Sequence, residues 1–321
     1  FVGLAGVLLL SGASQGSSLS GVVSSLNEIR TIAYPIIGAV GALLLTGTAA
    51  VVARRLDKPA VAVLANCAPV LLACSIAGAL PAGPWTAYGA LAAGVALTVG
   101  ALSSLVLPGR LRASGLTPAI IGVSLGLFGL LSGTLGIQPE RISALLAALL
   151  LLACLSIPWL AMASTPVRVT GPSAAAQIDP RQIDKSVSMG VSMSVSIRLG
   201  TCLALVILTP ILCSTSQGIA LSALIGAALM LSTRSIRSRV EVLIGVLSGM
   251  AVLAWAAYAA ALQSATSLLL VLVTSLTGSL LVLATNVVTP KTRPWLSRTA
   301  DTISTLVIIA VPPFALYMWG M

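Results

Sequence analysis

Few side chains in this sequence could carry out acid–base or nucleophilic chemistry. The chain contains no histidine, which excludes a Ser–His–Asp arrangement and removes the commonest metal ligand. Its five cysteines form no C-x-x-C pair and lie in or at the ends of apolar runs, which favours buried small side chains over a zinc site or a disulfide framework. They are Cys67, Cys74, Cys154, Cys202 and Cys213. No catalytic, cofactor or metal site is predicted.

The remaining ionisable groups avoid the middle of the apolar runs. Glu241, Asp301 and Arg198 stand near the ends of such runs, and the other carboxylates fall between them. Asn66 is the most polar side chain inside a run, and a single Asn there is typical of a helix–helix hydrogen bond. Because ion-coupled transporters need ionisable groups at mid-membrane, and because no Walker A or G-x-G-x-x-G motif is present, neither transport nor ATP hydrolysis is indicated.

A row of glycines is the most regular pattern in the chain. It has the spacing i, i+4, i+7, i+11 and i+14 and comprises Gly122, Gly126, Gly129, Gly133 and Gly136. At 100° per residue these positions share one helix face, which lets another backbone approach closely. Gly245 and Gly249 repeat the G-x-x-x-G spacing once. Both faces are predicted to be helix-packing surfaces, either within the chain or against another subunit.

The composition predicts the kind of element that carries these residues. Of 321 residues, 58% are hydrophobic and only 7% are charged, and the mean hydropathy is +1.09. A soluble domain carries about a quarter charged residues because its surface must be solvated. We therefore predict an all-α, polytopic transmembrane helix bundle that forms one transmembrane domain over 1–321.

Eleven apolar runs approach the roughly 20 residues that a membrane-spanning helix needs, although the first is short. They are 1–11, 32–53, 59–80, 86–107, 116–137, 143–164, 197–213, 219–232, 240–262, 266–288 and 300–320. The prediction thus places six spans in 1–164, a Pro/Ser-rich cytoplasmic linker in 165–196 and five spans in 197–321. Phe1 is not an initiator methionine, so we expect further sequence upstream.

Basic residues predict the orientation. Fifteen of the 17 lysines and arginines fall in one alternate set of loops, and only Arg30 and Arg141 fall in the other. By the positive-inside rule the richer set is cytoplasmic, which makes the N-terminus cytoplasmic and the C-terminus extracytoplasmic. The net charge of +10 therefore reflects membrane topology, and no nucleic-acid partner is indicated.

Two groups of arginines stand out among the cytoplasmic loops. Arg234, Arg237 and Arg239 lie in a tight turn between the eighth and ninth spans, and Arg293 and Arg298 precede the last span. Contact with anionic lipid headgroups explains such residues, and contact with an acidic cytoplasmic partner is the alternative.

Two connections are long. The segment 12–31 carries apolar residues at helical spacing, which fits a helix on the membrane surface or an outward extension of the second span. Within the cytoplasmic linker, Ser186–Ser196 alternates apolar and small polar residues, and this period of two favours a strand. A lone strand beside helical spans would have no partner for its backbone, so the segment is ambiguous.

The layout resembles EccD, a membrane subunit of the mycobacterial type VII (ESX) secretion system. Eleven spans with the N-terminus inside and the C-terminus outside match that family, as does the Arg-rich turn Leu231–Arg239. Pro290–Asp301 resembles the family's Pro and basic residues before the last span, with Pro312 and Pro313 further on, and 158–180 resembles its Pro-rich linker.

The resemblance implies a non-enzymatic scaffold in the inner membrane, paired with a second copy of itself and assembled with EccB, the EccC ATPase and EccE. It further implies an upstream ubiquitin-like domain and a helix over Ser186–Ser196 that leads into the seventh span. A secondary transporter or permease is the rival interpretation, but the chain shows no matched pair of broken helices with charged neighbours. A lipid-handling membrane enzyme is disfavoured by the lack of histidine and intramembrane acids.

Overall fold

The computed structural model describes residues 20–53, 59–79, 87–107, 109–164, 180–233, 238–263 and 294–320. Every regular element in these ranges is helical, which confirms the all-α prediction for them. The α-helices are α1 (Ser20–Ala53), α2 (Pro59–Ala79), α3 (Ala87–Ala101), α4 (Leu116–Leu135), α5 (Pro139–Ser164), α6 (Pro180–Leu212), α7 (Ser216–Ser232), α8 (Arg239–Gln263) and α9 (Pro294–Tyr317). Two 3-10 segments, Leu102–Val106 and Gly109–Gly115, lie between α3 and α4.

Nine of the predicted spans overlap these helices, and the other two, 1–11 and 266–288, lie outside the described residues. Helix α1 begins at Ser20, so the described part of the segment 12–31 extends the second span. Four segments are long and apolar enough to cross a membrane: Arg112–Leu135, Pro139–Ile157, Ser188–Leu212 and Arg239–Gln263. Five further apolar helical segments of 10–17 residues accompany them in the described part of the chain.

The predicted span 86–107 is not one α-helix. Its α-helical part ends at Ala101, and a 3-10 segment continues to Val106. Leu107 is extended, with φ −75° and ψ 143°. A proline disfavours the α conformation in the residue before it, so Pro108 explains the extended Leu107. The prediction of a single helix over 86–107 was wrong.

The chain divides into two compact units. The first comprises Phe1–Leu135 with Ala161–Ser196, and the second comprises Gly136–Leu160 with Ile197–Met321. In the first unit, successive helices pack in order: α1 on α2, α2 on α3, and α3 on α4. A small core of alanine, valine and leucine side chains joins α1 and α2 to the residue before Pro108: Ala49, Val61, Ala65 and Leu107.

Helix α7 is central to the second unit. Of its 17 residues, 13 are buried, and it packs against both α8 and α9. It begins at the N-cap Thr215, whose hydroxyl accepts a hydrogen bond from the Gly218 amide at 3.1 Å. A helix that is apolar on all sides must be enclosed by protein or lipid, and here protein encloses it.

Helix α8 has two different apolar faces. Small and medium side chains on one face are buried: Gly245, Gly249, Val252 and Ala256. Large side chains on the other are more than half exposed: Leu243, Leu247 and Met250. Leucine and methionine on an open surface suit contact with lipid acyl chains, as the composition predicts.

Candidate functional site: helix-packing faces and a buried arginine

The glycine row of α4 faces α3 of the same unit. A Cβ atom built on Gly94 of α3 would lie 2.3 Å from the backbone nitrogen of Gly126. A Cβ on Gly129 would lie 2.4 Å from the carbonyl oxygen of Ala87, and one on Gly122 would lie 2.8 Å from the carbonyl oxygen of Gly94. Real Cβ atoms do not approach backbone so closely, so glycine at these three positions permits the α3–α4 contact.

The other members of the row contribute less. A Cβ on Gly126 would meet only the Cα of Gly94, at 4.0 Å, and a Cβ on Gly133 would lie 3.4 Å from the Ala87 side chain. Gly136 lies beyond the end of α4, with φ +61° and no atom within 4 Å of its Cβ position. Glycine at that position ends the helix in the left-handed conformation. Gly136 makes no close contact with α3, and its place in a subunit-packing face stays a prediction.

The spacing of the α4 glycines did not predict that their partner is α3. The α3 residues that receive α4 are Gly94 and the backbone of Ala87 and Leu91, in a helix made mostly of alanine and glycine. That small-residue composition was the available signal, since only small residues allow two backbones to come so close.

The glycine pair of α8 also faces a helix of its own unit. A Cβ on Gly249 would lie 2.6 Å from the Met230 Cγ and 3.0 Å from the Gly226 carbonyl oxygen of α7. A Cβ on Gly245 would lie 2.6 Å from the Thr233 Cγ2 and 3.1 Å from the Arg198 Nη2. Gly245 therefore makes room for a guanidinium group.

The predicted basic contact residues are only partly described. Arg239 is the first residue of α8 and is exposed, and Arg298 lies in the first turns of α9. Arg234, Arg237 and Arg293 lie outside the described residues. Their contact with lipid headgroups or with a partner stays a prediction.

Arg198 is a functional candidate that the sequence did not single out. It was grouped with the cytoplasmic basic residues, yet its side chain is only 2% exposed. Its Nη2 donates to the Ser232 Oγ at 3.2 Å, at the last residue of α7. Its Nε is the one buried side-chain nitrogen or oxygen atom in the described part of the chain that lacks a hydrogen-bond partner. The available signal was that apolar residues precede Arg198 as well as follow it, within the segment Ser188–Leu212.

Polar contacts at the opposite end of the second unit join four segments that were predicted to be extracytoplasmic. The Ser214 hydroxyl donates to the Glu140 Oε1 at 3.2 Å, and the Gln263 Nε2 donates to the Cys213 carbonyl oxygen at 3.2 Å. The Trp319 Nε1 donates to the Arg141 carbonyl oxygen at 2.9 Å. The start of α5, the α6–α7 turn and the ends of α8 and α9 thus lie at one level.

The cysteines divide into two groups. Cys154, Cys202 and Cys213 are buried, as predicted, and the Cys213 thiol donates to the Ser222 hydroxyl at 3.2 Å. Cys67 and Cys74 are exposed on α2, so the prediction that all five are buried was wrong for these two. The described residues contain no group of three or more metal-binding side chains.

These features define an all-helical, multi-pass membrane protein in which several described polar groups link one helix to another. The chain belongs to the EccD-like transmembrane domain family, whose family model matches residues 1–321. The resemblance inferred from the Arg-rich turn and the linker is thereby confirmed.

The solved structures that are similar to the chain include two ESX complexes. A chain in the structure of protomer 1 of the ESX-3 core complex aligns over 99% of this chain and 78% of its own length, with 14% identity and a TM-score of 0.63. A chain of the MycP5-free ESX-5 inner membrane complex, state II, aligns over 89% of this chain and 71% of that chain, with 20% identity and a TM-score of 0.54. At these identities the likeness shows a shared fold. Comparison with curated protein sequences finds no match.

Proposed function

We propose that the chain is a non-enzymatic structural subunit of the inner-membrane complex of a type VII secretion system. The observation that carries the proposal is the EccD family match over residues 1–321. The described contacts support it, because the glycine faces, the Ser232–Arg198 bond and the Gln263 bonds all join helices to one another. Such contacts build a rigid framework on which other subunits can assemble.

The proposed topology has eleven spans, with a cytoplasmic N-terminus and an extracytoplasmic C-terminus. The distribution of basic residues is its main support. A second support is that Glu140, Ser214, Gln263 and Trp319, which belong to four predicted outer segments, take part in hydrogen bonds at one end of the second unit.

The proposed partners are a second copy of the chain, EccB, EccC, EccE and membrane lipids. The two similar structures are described as a core complex and an inner membrane complex, which supports assembly with other subunits. The Arg-rich turn 234–239 is the proposed cytoplasmic contact, because clustered arginines attract both anionic headgroups and acidic protein surfaces.

Co-purification tests the proposal. The tagged chain, expressed at its native level, is extracted in mild detergent and its companions are identified by mass spectrometry, with an unrelated multi-pass protein carrying the same tag as control. We expect EccB, EccC and EccE with the chain and none of them with the control. Recovery of the chain without them would overturn the proposal. Substrate-dependent current in proteoliposomes of the pure protein would favour the transporter alternative.

A further inference from the structure

The exposed side of α8 is apolar over most of its length. Between Arg239 at the start of the helix and Tyr258 in its last third, the indole nitrogen of Trp255 is the single polar side-chain atom on an exposed residue. The exposed residues in this interval are Val240, Leu243, Leu247, Met250, Ala251, Ala254 and Trp255. A continuous apolar surface of this kind is typical of a site that a membrane or another protein covers.

The two sides of α8 differ in side-chain size, and this difference favours lipid as the cover. Helices that pack on one another in a membrane do so through small residues, and the small residues of α8 face α7. A Cβ on Gly249, for example, would lie 3.0 Å from the Gly226 carbonyl oxygen. The exposed side instead carries Leu243, Leu247 and Met250, whose long side chains hold another backbone away but fit between acyl chains.

The ends of the apolar stretch carry residues that prefer the membrane–water interface. Arg239 is exposed at one end, where a long basic side chain can reach the headgroups. Trp255 and Tyr258 are 44% and 58% exposed near the other end, with their ring centroids 5.7 Å apart. Tryptophan and tyrosine concentrate at the interface because each side chain has an apolar body and a polar tip.

The length between these ends matches the thickness of a bilayer. Tyr258 follows Arg239 by nineteen positions, which at about 1.5 Å per residue is about 28 Å along the helix axis. The hydrocarbon core of a bilayer is about 30 Å thick. Helix α9 repeats the spacing, since Tyr317, which is exposed, follows Arg298 by nineteen positions. Both helices thus place an arginine and a tyrosine one core thickness apart.

Hydrogen-bonding groups begin at the level where water should begin. Gln263 ends α8, and its Nε2 donates to the Cys213 and Ser214 carbonyl oxygens. It lies five positions beyond Tyr258, about 7 Å along the axis, which is the thickness of one interfacial layer of a bilayer. The polar contacts at this end of the second unit therefore lie outside the apolar stretch.

We propose that phospholipid covers the exposed side of α8, with acyl chains against Leu243, Leu247 and Met250, and that Arg239 and Tyr258 mark the two edges of the hydrocarbon core. The inference goes beyond the proposed function, because it assigns the cover of one helix face and the depth of its residues in the bilayer. A second copy of the chain or another subunit on this face is the competing outcome of the test.

Depth-dependent quenching of tryptophan emission tests the inference. The full chain is reconstituted in phosphatidylcholine vesicles whose acyl chains carry bromine, a contact quencher, either near the carbonyl end or near the methyl end. Three variants each keep one tryptophan, with phenylalanine at the other tryptophan positions: native Trp255, native Trp319 and Leu247→Trp. Trp319 is the control, because its Nε1 donates to the Arg141 carbonyl oxygen at the polar end of the unit.

We expect Trp255 to lose most emission with bromine near the carbonyl end, since it lies about 5 Å inside the level of Tyr258. Leu247→Trp should lose most emission with bromine near the methyl end. Position 247 is about 16 Å from Tyr258 along the axis, close to the middle of a core about 30 Å thick. Trp319 should lose the least emission with either lipid.

Two results would overturn the inference. If neither brominated lipid quenched Leu247→Trp, a second copy of the chain would cover the face instead of lipid. If bromine near the methyl end quenched Trp255 more than Leu247→Trp, the edges of the hydrocarbon core would not lie at Arg239 and Tyr258.

Photolabelling of the unsubstituted chain decides the matter if the tryptophan variants do not fold. A phospholipid with a diazirine near the methyl end of its acyl chain is incorporated into native membranes, where partner subunits are present, and labelled residues are identified by mass spectrometry. We expect label on residues 243–250 and none on Gln263. An absence of label from 243–250 would mean that protein covers the face and would overturn the inference.

The inference and the proposed function fail in different experiments. Neither the quenching nor the photolabelling depends on recovery of EccB, EccC or EccE, so a failed co-purification would leave the lipid contact intact. Conversely, normal co-purification together with an unquenched Leu247→Trp would remove the lipid contact and leave the scaffold function standing.

Discussion

At the residue scale, glycines three positions apart in one row have different roles. A Cβ on Gly129 would point at the backbone of α3 and would lie 2.4 Å from both the Ala87 carbonyl oxygen and the Leu91 nitrogen. A Cβ on Gly126 would meet no atom nearer than the Gly94 Cα, at 4.0 Å. The backbone of Gly126 is instead the surface that Gly94 of α3 contacts. The requirement for glycine is therefore strict at Gly129 and at Gly94, and weak at Gly126.

We predict that Gly129→Ala lowers the midpoint of thermal unfolding, since α3 and α4 must separate to admit the methyl group, and overpacking costs about 1–3 kcal/mol. Gly126→Ala, the matched control, should keep or raise the midpoint, because it removes glycine's backbone entropy cost without a clash. Both are measured on the purified chain in detergent. If Gly129→Ala and Gly126→Ala changed the midpoint equally, the result would contradict the structure, in which only Gly129 faces the α3 backbone closely.

At the element scale, α6 is helical although part of its sequence alternates with the period of a strand. The alternation in Ser186–Ser196 favoured a strand, but the segment lies within the single helix Pro180–Leu212, as the family resemblance implied. Ser194 and Ser196 are buried there, while Met189 and Val191 are half exposed. Small serines fit a helix interface because they can bond their own helix, as Ser192 does to the Met189 carbonyl oxygen at 2.9 Å.

The helical assignment predicts the effect of proline at Ser192. Ser192→Pro removes the backbone donor to residue 188 and costs about 3 kcal/mol, so α6 should break there and the purified chain in detergent should unfold at a lower temperature. Ser192→Ala, the control, should keep the wild-type midpoint. Equal midpoints for Ser192→Pro and the wild type would mean that the segment is not helical.

At the scale of the whole molecule, the contacts within the second unit group its segments in the same way as the loop charges do. The segments with few basic residues meet through the Ser214, Gln263 and Trp319 bonds. At the other end of the second unit, Arg198 meets Ser232 beside the Arg-rich turn. The two ends of this unit thus carry different chemistry, with basic residues concentrated at one of them.

Thiol labelling of intact cells tests the orientation. A membrane-impermeant maleimide should modify cysteines introduced at Ser17, Gly83 and Ser264 and spare those at Ser114, Ser173 and Ser235, because the positive-inside rule assigns the basic loops to the cytoplasm. The unmodified chain, with its five native cysteines, sets the background. Labelling of Ser173 in sealed cells would invert the proposed topology.

Much of the fold could be predicted from local properties. Runs of about 20 apolar residues correspond to α2, α4, α5 and α8 within a few residues at each end, because hydrogen bonds within a helix satisfy the backbone without water. The end of α3 was missed since it depends on a 3-10 segment before Pro108. The EccD family was also accessible, through the short motif around Arg234 and the Pro-rich linker.

Composition, periodicity and loop charge by themselves determined that this is a helical multi-pass membrane protein, because each reports a property of one segment in its solvent. Only the tertiary structure decided the partners of those segments. Gly122 packs on α3 of its own unit, and Gly245 makes room for Arg198. Such contacts join residues far apart in sequence and depend on the direction of a few Cβ atoms. A run of small residues indicates that a helix can be approached closely, but it does not say which other segment will approach it.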